Sequence, residues 1–258
     1  AVARIGYAAP TRVIPMLEAG HPVPDAAGLA AASKALELAA SATSEDLVLV
    51  LLSGGASANW IAPAGRLTLS EKQAITKALL RSGATIGEMN AVRKHLSRIK
   101  GGRLALAAAP ARLVTLAVSD VPMDEPATIG SGPTLPDPST LAEARDIALR
   151  YCPDLPEAAR ALLADPANET PKPGHPAFAR NEFHIVAKPA DAIAATAEAA
   201  KAAGYEPIVL GANLEGEARE VAAAQARMAL DLKTAGRRAA LISGGELTVT
   251  ITGKGRGG

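Results

Sequence analysis

Hydrophobic residues recur along the chain with two different spacings, and these spacings predict helices that alternate with strands. Apolar positions with helical spacing follow Asp25, which is a candidate N-cap. Two capping boxes, Thr68 with Glu71 and Thr85 with Glu88, indicate two more helix starts, and the glycines that follow set the expected ends. In all, helices are predicted over residues 26–38, 68–83, 85–101, 140–150, 190–203 and 215–235.

Short apolar runs rich in β-branched residues lie between these helices. They predict strands over residues 47–52, 112–120, 182–187, 206–211 and 238–243. The run 47–52, LVLVLL, is typical of a strand that is buried on both faces. Strands that alternate with helices of this length need crossover connections, so we expect an α/β fold with a mainly parallel sheet. Residues 155–176 carry several prolines and are predicted to form a loop.

The last part of the chain follows a different pattern. Residues 246–252, ELTVTIT, alternate with period two directly after another strand, which is typical of a half-buried β-ribbon. A second domain is therefore expected to begin near this point. The chain starts without Met and stops at GKGRGG, and we expect it to be a fragment of a longer protein.

Composition and charge narrow the class of partner. The 27 Lys and Arg residues nearly balance the 26 Asp and Glu residues, which disfavours nucleic acid and anionic membranes and favours a small molecule. The single cysteine, Cys152, excludes an internal disulfide framework and suits a reducing compartment. The apolar runs are too short to span a bilayer and no secretory signal opens the chain, so a cytoplasmic location is expected.

Polar clusters follow two of the predicted strands, where an open parallel sheet binds its ligands. After strand 47–52 come Ser53, Gly54, Gly55 and Ser57, which form either an anion cradle of backbone amides or only a tight turn. At the end of strand 112–120 lies Asp120, and Asp124 follows four residues on. Two carboxylates there could hold Mg²⁺, and one could act as a base; an Asx-turn and a solvated acid are the alternatives, favoured for Asp124.

Two further clusters carry cations. The predicted helix 85–101 has a polar stripe, formed by Asn90, Arg93, Ser97 and Lys100, whose cations could neutralise phosphate or carboxylate, although such a stripe usually faces water. His95 lies off this stripe and is expected to be structural. The fourth cluster comprises Ser243, Gly244, Gly245 and Glu246, followed by a glycine-rich turn that would bring Lys254 and Arg256 to an anion.

Several motifs are absent from the sequence. It has no G-x-x-x-x-G-K-[ST], which excludes a Walker-type nucleotide site, and no G-x-S-x-G elbow, which removes the simplest hydrolase. The final GKGRGG matches G-x-G-x-x-G, but no helix or acidic residue follows as a dinucleotide site requires. The four histidines show no paired metal spacing.

Taken together, these motifs resemble the glycerate 2-kinase family, whose members have also carried the name hydroxypyruvate reductase. The likeness runs in order from EAGHPVPDAAG through SGGASA, KQAITKALLRSGATIGEMNAVRKHLSRIKGGRLA, VTLAVSDVP and GSGPTLPDP to EGEAREVA and SGGELTVTITGKGRGG. It implies a three-layer α/β/α, Rossmann-like domain, here residues 1–236, and the beginning of a smaller MOFRL domain at 237–258. Two departures are Met123, where the family usually has Gly, and SGGASANW in place of SGGGSAL.

The resemblance also implies a reaction: phosphorylation of D-glycerate at its 2-hydroxyl, with ATP and Mg²⁺ as cofactors. For the assembly, a homodimer and a monomer are both left open. By matching position, Asp120 would be the base or metal-orienting acid, with Asp124 as a second metal ligand. The implied anion-binding residues are Ser53, Gly54, Gly55, Ser57, Asn90, Arg93, Lys94 and Lys100 and, from the second domain, Ser243, Gly244, Gly245, Glu246, Lys254 and Arg256. An NAD(P)H-dependent hydroxypyruvate reductase and a non-catalytic sugar-acid sensor are the alternatives.

Overall fold

The computed structural model describes residues 1–250 and residue 253, and its contacts divide the chain into two compact units. The first unit consists of Ala1–Val121 and Glu125–Val186, and the second of Pro122–Asp124 and the chain from Ala187 onward. This division lies earlier than the domain boundary expected at residues 236/237. The assignment of the last residues to a MOFRL domain stays a prediction.

The first unit begins with strand β1 (Val2–Arg4), which pairs in parallel with β2 (Leu17–Ala19). A second sheet has the order β3-β4-β5, in which β3 and β4 are parallel. Its strands and the helices of the unit are α1 (Ala26–Ala40), β3 (Leu47–Leu52), α2 (Ala56–Asn59), α3 (Leu69–Arg81), α4 (Ile86–His95), α5 (Arg103–Ala108), β4 (Arg112–Val118), α6 (Leu141–Tyr151), α7 (Glu157–Ala164) and β5 (Asn181–Ala187).

The second unit pairs two strands in parallel and contains two long helices. Its elements are α8 (Pro189–Ala202), β6 (Glu206–Leu214), α9 (Ala218–Thr234) and β7 (Ala239–Gly245). The α/β class and the parallel strand pairing expected from the sequence are confirmed in both units. In the described part of the chain, no helix combines the length and the apolar character that crossing a bilayer requires.

The predicted capping residues begin their helices as expected. Asp25 Oδ1 accepts the Gly28 amide at 2.9 Å at the start of α1. Thr68 with Glu71 and Thr85 with Glu88 form complete capping boxes at α3 and α4. Each satisfies backbone N–H groups that a helix start leaves without partners, which is why these sequence signals were reliable.

Helix α4 is shorter than predicted, because Ser97 offers the backbone a competing partner. Its Oγ accepts the amides of Ile99 and Lys100, both at 3.2 Å. The amide of the residue before these two, Arg98, donates to the backbone carbonyl of Ala62 at 2.8 Å. Serine side chains commonly compete with helical hydrogen bonds in this way. The chain therefore leaves the helix after His95, and Lys100 lies in the loop before α5.

Two other predictions about local structure were wrong. The expected loop 155–176 contains α7, which follows Pro156; a proline is compatible with a helix start because the first amides there have no helical partner. The expected ribbon at 246–252 is not a strand over 246–250, where the described residues make one isolated bridge, between Glu217 and Thr248. Residues 251 and 252 lie outside the described residues.

The core of the first unit has two parts. One lies among α3, α4, α6 and α7 and is centred on Leu79, Val92 and Leu163, which are almost fully buried. The other covers one face of the β3-β4-β5 sheet, where Leu52, Leu113 and Ala117 pack with residues of α1 and α5. The second part also contains Ile129, which lies in the segment that follows β4.

The opposite face of this sheet is exposed, which the sequence did not predict. Leu49 and Leu51 are 54% and 67% exposed, and they pair with Val114 and Leu116 of β4. Since neighbouring residues of a strand point to opposite faces, only the alternate positions Val50 and Leu52 are buried. The expectation that β3 is buried on both faces was therefore wrong for one of them.

Candidate functional site

A glycine loop and a carboxylate meet where β3 and β4 end. Because the two strands are parallel and Leu52 pairs with Ala117, the loops that follow them lie side by side. A Cβ added to Gly54 would lie 2.5 Å from Asp120 Oδ2. Only glycine therefore leaves room for this carboxylate, and the structure brings together the first two predicted clusters.

The next glycine, Gly55, has a left-handed backbone with φ 83°. A Cβ added there would lie 3.2 Å from His21 Cδ2 and 3.0 Å from Asn59 Oδ1. His21 was not among the predicted site residues. It carries no signal of its own in the sequence, because it lies before the first helix and reaches the loop only through the fold.

A buried lysine joins the loops that follow the two strands. Lys100 Nζ donates to Ser57 O at 3.0 Å and to Gly130 O at 3.3 Å. Beside it, the hydroxyl oxygens of Ser57 and Ser131 lie 2.9 Å apart. Lys100 thus connects three segments that are distant in sequence, and its side chain is 2% exposed.

The loop around Ser131 has an unusual backbone. Gly130, Ser131 and Gly132 all have φ of 60–63°, a conformation that costs a non-glycine residue free energy. The carbonyls of Ser131 and Gly132 accept the amides of Gly101 and Gly102 at 3.1 and 2.8 Å. These bonds hold Ser131 in place against Ser57.

Three cations gather behind these loops. Lys72 Nζ donates to the backbone carbonyl of Arg93 at 3.0 Å. Burial, together with the nearby charges of Lys100 and Arg93, holds the pKa of Lys72 well below its usual range. Burial and the charge of Arg93 lower the pKa of Lys100 to about 7, and burial also lowers the pKa of Arg93. The arrangement favours a bound anion.

Lys72 was missed in the sequence analysis, although a signal was present. It falls on the buried stripe of α3 with Ile75 and Leu79, at a spacing where an apolar residue is expected. A lysine at such a position is rarely buried without a paired charge.

Two buried polar groups near the predicted site lack a hydrogen-bond partner among the described residues. They are Asn90 Oδ1, on α4 one turn before Arg93, and Ser119 Oγ, which directly precedes Asp120. An orphaned buried polar atom is costly, and in native proteins it often marks the place of a ligand or an ordered water.

Lys94, in contrast, already has an anionic partner. Its Nζ lies 3.2 Å from Asp137 Oδ1, and both side chains are buried. Asp137 also accepts the hydroxyl of Thr170 at 3.0 Å. Because its charge is compensated within the fold, Lys94 belongs to a structural pair, and we leave it out of the proposed site.

His95 is structural, as the sequence suggested. Its Nδ1 lies 2.8 Å from the Ala91 carbonyl and its Nε2 lies 2.8 Å from Glu169 Oε1. The ring is fully buried, so it holds α4 to the segment at Glu169.

The Ser-Gly-Gly segment of the second unit differs from its counterpart after β3. Ser243, Gly244 and Gly245 all belong to strand β7, whereas the predicted strand ended at residue 243. Gly245 is required for packing, since a Cβ there would overlap the backbone of Leu214 in β6. Ser243 and Gly244 line a cavity of about 420 Å³ with apolar residues of α8, and Glu246 is exposed.

The predicted metal ligands lie in different units. Asp120 belongs to the first unit and is exposed, whereas Asp124 lies in the short segment assigned to the second. No group of three or more His, Cys, Asp or Glu side chains that could hold a metal ion occurs among residues 1–250 and 253. Lys254 and Arg256 lie outside the described residues.

Comparison with known proteins assigns the chain to a family. The family described as "Domain of unknown function (DUF4147)" matches residues 1–164. The chain belongs to this family. The resemblance to the glycerate 2-kinase family is also confirmed, because relatives of this chain include proteins named glycerate 2-kinase.

Three relatives illustrate this membership. A "Putative hydroxypyruvate reductase" of Agrobacterium vitis is 51% identical over 263 residues, covering 100% of this chain and 59% of the relative. A "D-glycerate 2-kinase" of Thermotoga maritima is 39% identical over 246 residues, covering 93% of this chain and 57% of the relative. The crystal structure of a glycerate kinase from Thermotoga maritima superposes with a TM-score of 0.84 at 37% identity. The superposition covers 100% of this chain and 62% of the crystallised chain.

The DUF4147 chain is shorter than these relatives, of which it spans about three fifths. The fold of the described residues is similar to that of the superposed crystal structure. The names of the relatives differ in the reaction they state, and that structure is classified under EC 2.7.1.31, which denotes a 3-phosphoglycerate-forming kinase.

Proposed function

We propose that the protein to which this chain belongs is a glycerate kinase that transfers phosphate from ATP to the 2-hydroxyl of D-glycerate. The observation that carries this proposal is the convergence, at the ends of β3 and β4, of a glycine loop, the Asp120 carboxylate and the buried Lys100. Phosphoryl transfer needs positioned donors and cations more than a strong nucleophile, and the site supplies both.

Each residue of the first unit has a role in this proposal. Asp120 accepts the proton of the substrate hydroxyl or orients a metal, since it is exposed and lies against Gly54. In this proposal the amides of Gly54 and Gly55 donate to an anion at the end of β3. Arg93 and Lys100 neutralise negative charge, Arg93 as a planar fork and Lys100 through its position between the loops.

The site also fits a magnesium ion bound in part by substrate. Mg²⁺ in kinases is commonly held by one or two carboxylates together with phosphate oxygens and water, so Asp120 alone provides the protein ligand that such a site needs. When bound, the ion would neutralise charge on the transferred phosphate. Asp124 stays a predicted second ligand.

Residues of the second unit are also part of the proposal. We retain Ser243, Gly244 and Glu246, with Lys254 and Arg256, as predicted contributors of hydrogen bonds and charge to the nucleotide or the phosphate. The cavity beside Ser243 and Gly244 supports this part of the proposal, because it offers apolar surface next to polar groups.

A second candidate function rests on the name of the Agrobacterium vitis relative, which is that of a reductase. Such an enzyme would need a nicotinamide site. The first βα turns of the described chain lack the G-x-G-x-x-G spacing that opens a Rossmann dinucleotide site, so the kinase is favoured.

Two assays on the full-length protein separate these functions. In the first, D-glycerate, ATP and Mg²⁺ are incubated with enzyme and the product is identified by ³¹P NMR. We expect 2-phosphoglycerate. Formation of 3-phosphoglycerate would support a kinase but would contradict transfer to the 2-hydroxyl.

In the second assay, the enzyme is incubated with hydroxypyruvate and NADH, and the absorbance of NADH is followed at 340 nm. Oxidation of NADH without any phosphorylated glycerate in the first assay would overturn the proposal, and glycerate binding without either turnover would favour a sensor.

A further inference from the structure

Lys72, Arg93 and Lys100 form a cluster of cations without a carboxylate partner. None of the three makes an ion pair within 4.0 Å in the part of the chain that the structure describes, whereas the nearby Lys94 does. Lys72 and Lys100 are each only 2% exposed. Burying like charges together is unfavourable, so this cluster is a feature that packing alone does not explain.

The hydrogen bond of Lys72 does not account for its charge. Its Nζ donates to Arg93 O in the last turn of α4, because the amide of Ser97 donates instead to Lys94 O. A neutral donor such as a glutamine amide could satisfy the same carbonyl. What a lysine adds at this position is a group that can become positively charged next to the Arg93 backbone, and a bound anion would favour that protonated form.

Arg93 gives the cluster its connection to solvent. Its side chain is half-buried, whereas Lys72 and Lys100 are buried. An anion that reaches the Arg93 guanidinium would feel the charges of both lysines through a medium of low polarity, where electrostatic attraction is much stronger than in water. Burial and Arg93 lower the pKa of Lys100 to about 7, so a bound anion would also favour its protonated form.

We infer that Lys72 is a specificity-determining residue of the anion site at Arg93, and that it makes this site prefer a doubly charged, phosphate-like anion over a carboxylate. Two or three cations without an internal counter-charge match a dianion better than a monoanion. This inference rests on the proposed function for the identity of the natural ligand, a phosphoryl group, but the preference itself does not depend on turnover.

The test measures binding of simple anions to the full-length protein. Thermal unfolding is followed with increasing sodium sulfate or sodium acetate, with sodium chloride added to keep the ionic strength constant. A ligand that binds the folded state raises the melting temperature with its concentration. We expect saturable stabilisation by sulfate and little by acetate.

Three variants isolate the charge at position 72. Lys72→Gln keeps a hydrogen-bond donor and should weaken the apparent affinity for sulfate by about tenfold or more, as expected for the loss of one nearby charge. Lys72→Arg should retain the preference for sulfate. Lys77→Gln, on the exposed side of the same helix, controls for general salt effects and should behave as the wild type does.

The outcomes are distinct from those of the kinase assay. Equal sulfate responses in the wild type and Lys72→Gln would overturn the inference and leave Lys72 as a cap for α4. If Lys72→Gln does not fold, the melting temperatures of the wild type still test the inference. Equal stabilisation of the wild type by sulfate and by acetate would overturn the inference. Sulfate preference without glycerate phosphorylation would keep the anion site and reject the proposed function.

Discussion

The carboxylate of Asp120 occupies the space where a side chain at Gly54 would begin, since a Cβ there would lie 2.5 Å from Oδ2. Asp120 is exposed, so in Gly54→Ala it can move away at little cost to the fold. We expect Gly54→Ala in the full-length enzyme to lower kcat by about tenfold or more, as misplaced catalytic groups do, with a change in unfolding free energy below about 1 kcal/mol.

Gly87→Ala is the matched control for that substitution. Gly87 lies in α4, where an added Cβ would have 4.0 Å to its nearest neighbour and alanine is the better helix former. Steady-state kinetics and urea unfolding of both variants give the comparison. Wild-type kcat in Gly54→Ala would show that the contact with Asp120 has no part in turnover.

Asp120→Asn tests the carboxylate itself. If Asp120 accepts a proton or orients a metal, its loss should lower kcat by at least about 100-fold, with little effect on stability because the side chain is exposed. Glu125→Gln, another exposed acid close in sequence, should be nearly silent. A rate near that of the wild type for Asp120→Asn would remove this residue from the mechanism.

The Lys94–Asp137 pair is expected to matter for stability. Lys94→Met would leave Asp137, which is fully buried, without its cationic partner, and breaking a buried pair typically costs about 3–5 kcal/mol. Lys34→Met removes a pair with Glu37 in which both side chains are 65% exposed, and should change stability by less than about 0.5 kcal/mol. Urea unfolding of the two variants checks the difference, and similar losses in both would contradict the structural role of Lys94.

Glu169 should make stability depend on pH in acid. Burial would raise its pKa, but hydrogen bonds from Lys172, the Leu141 amide, His95 and the Thr170 amide outweigh burial and lower the pKa from 4.5 to about 2. The lowered pKa stabilises the folded state above pH 4.5, and this contribution is lost as the pH falls from 4.5 to about 2.

Glu169→Gln removes the titrating group and should flatten the dependence of unfolding free energy on pH in that window. Glu45→Gln is the control, because Glu45 is another exposed glutamate of the same unit. Curves of equal slope for the wild type and Glu169→Gln would show that the hydrogen bonds of Glu169 do not lower its pKa.

Met123 has φ 60° and is 86% exposed, so it carries backbone strain without a buried side chain to offset it. Glycine adopts this conformation without the Cβ penalty, and Met123→Gly should stabilise the protein by about 1 kcal/mol. The same change at Met228, inside α9, should instead destabilise by about 1 kcal/mol. Chemical unfolding measures both, and a loss of stability in Met123→Gly would refute the strain.

The parts of the fold that the sequence predicted are those with local causes. Capping boxes at Thr68 and Thr85 act within four residues, and the strand at 47–52 follows from its own composition. The end of α4 depended on whether Ser97 would bond its neighbours' amides, and that choice rests on contacts with Ala62. Such tertiary contacts leave no periodic pattern in the sequence.

The candidate site shows the same division. The sequence placed Gly54 and Asp120 at strand ends, and the parallel pairing of β3 with β4 then made them neighbours. Lys94 and Lys100 looked alike as basic residues of one segment, yet only Lys94 meets a carboxylate. Which cation is compensated depends on Asp137, which is distant in sequence and recognisable only once the chain is folded.

The exposed leucines of β3 have a consequence for how the chain behaves at high concentration. LVLVLL contains no charge, proline or glycine, lies at one end of the β3-β4-β5 order, and leaves Leu47, Leu49 and Leu51 open on one face. Uncharged six-residue segments of this kind, at a sheet edge, are the ones that stack into cross-β fibrils. The strand that positions the glycine loop is therefore also a segment prone to amyloid-like self-assembly when a chain of this length is concentrated on its own.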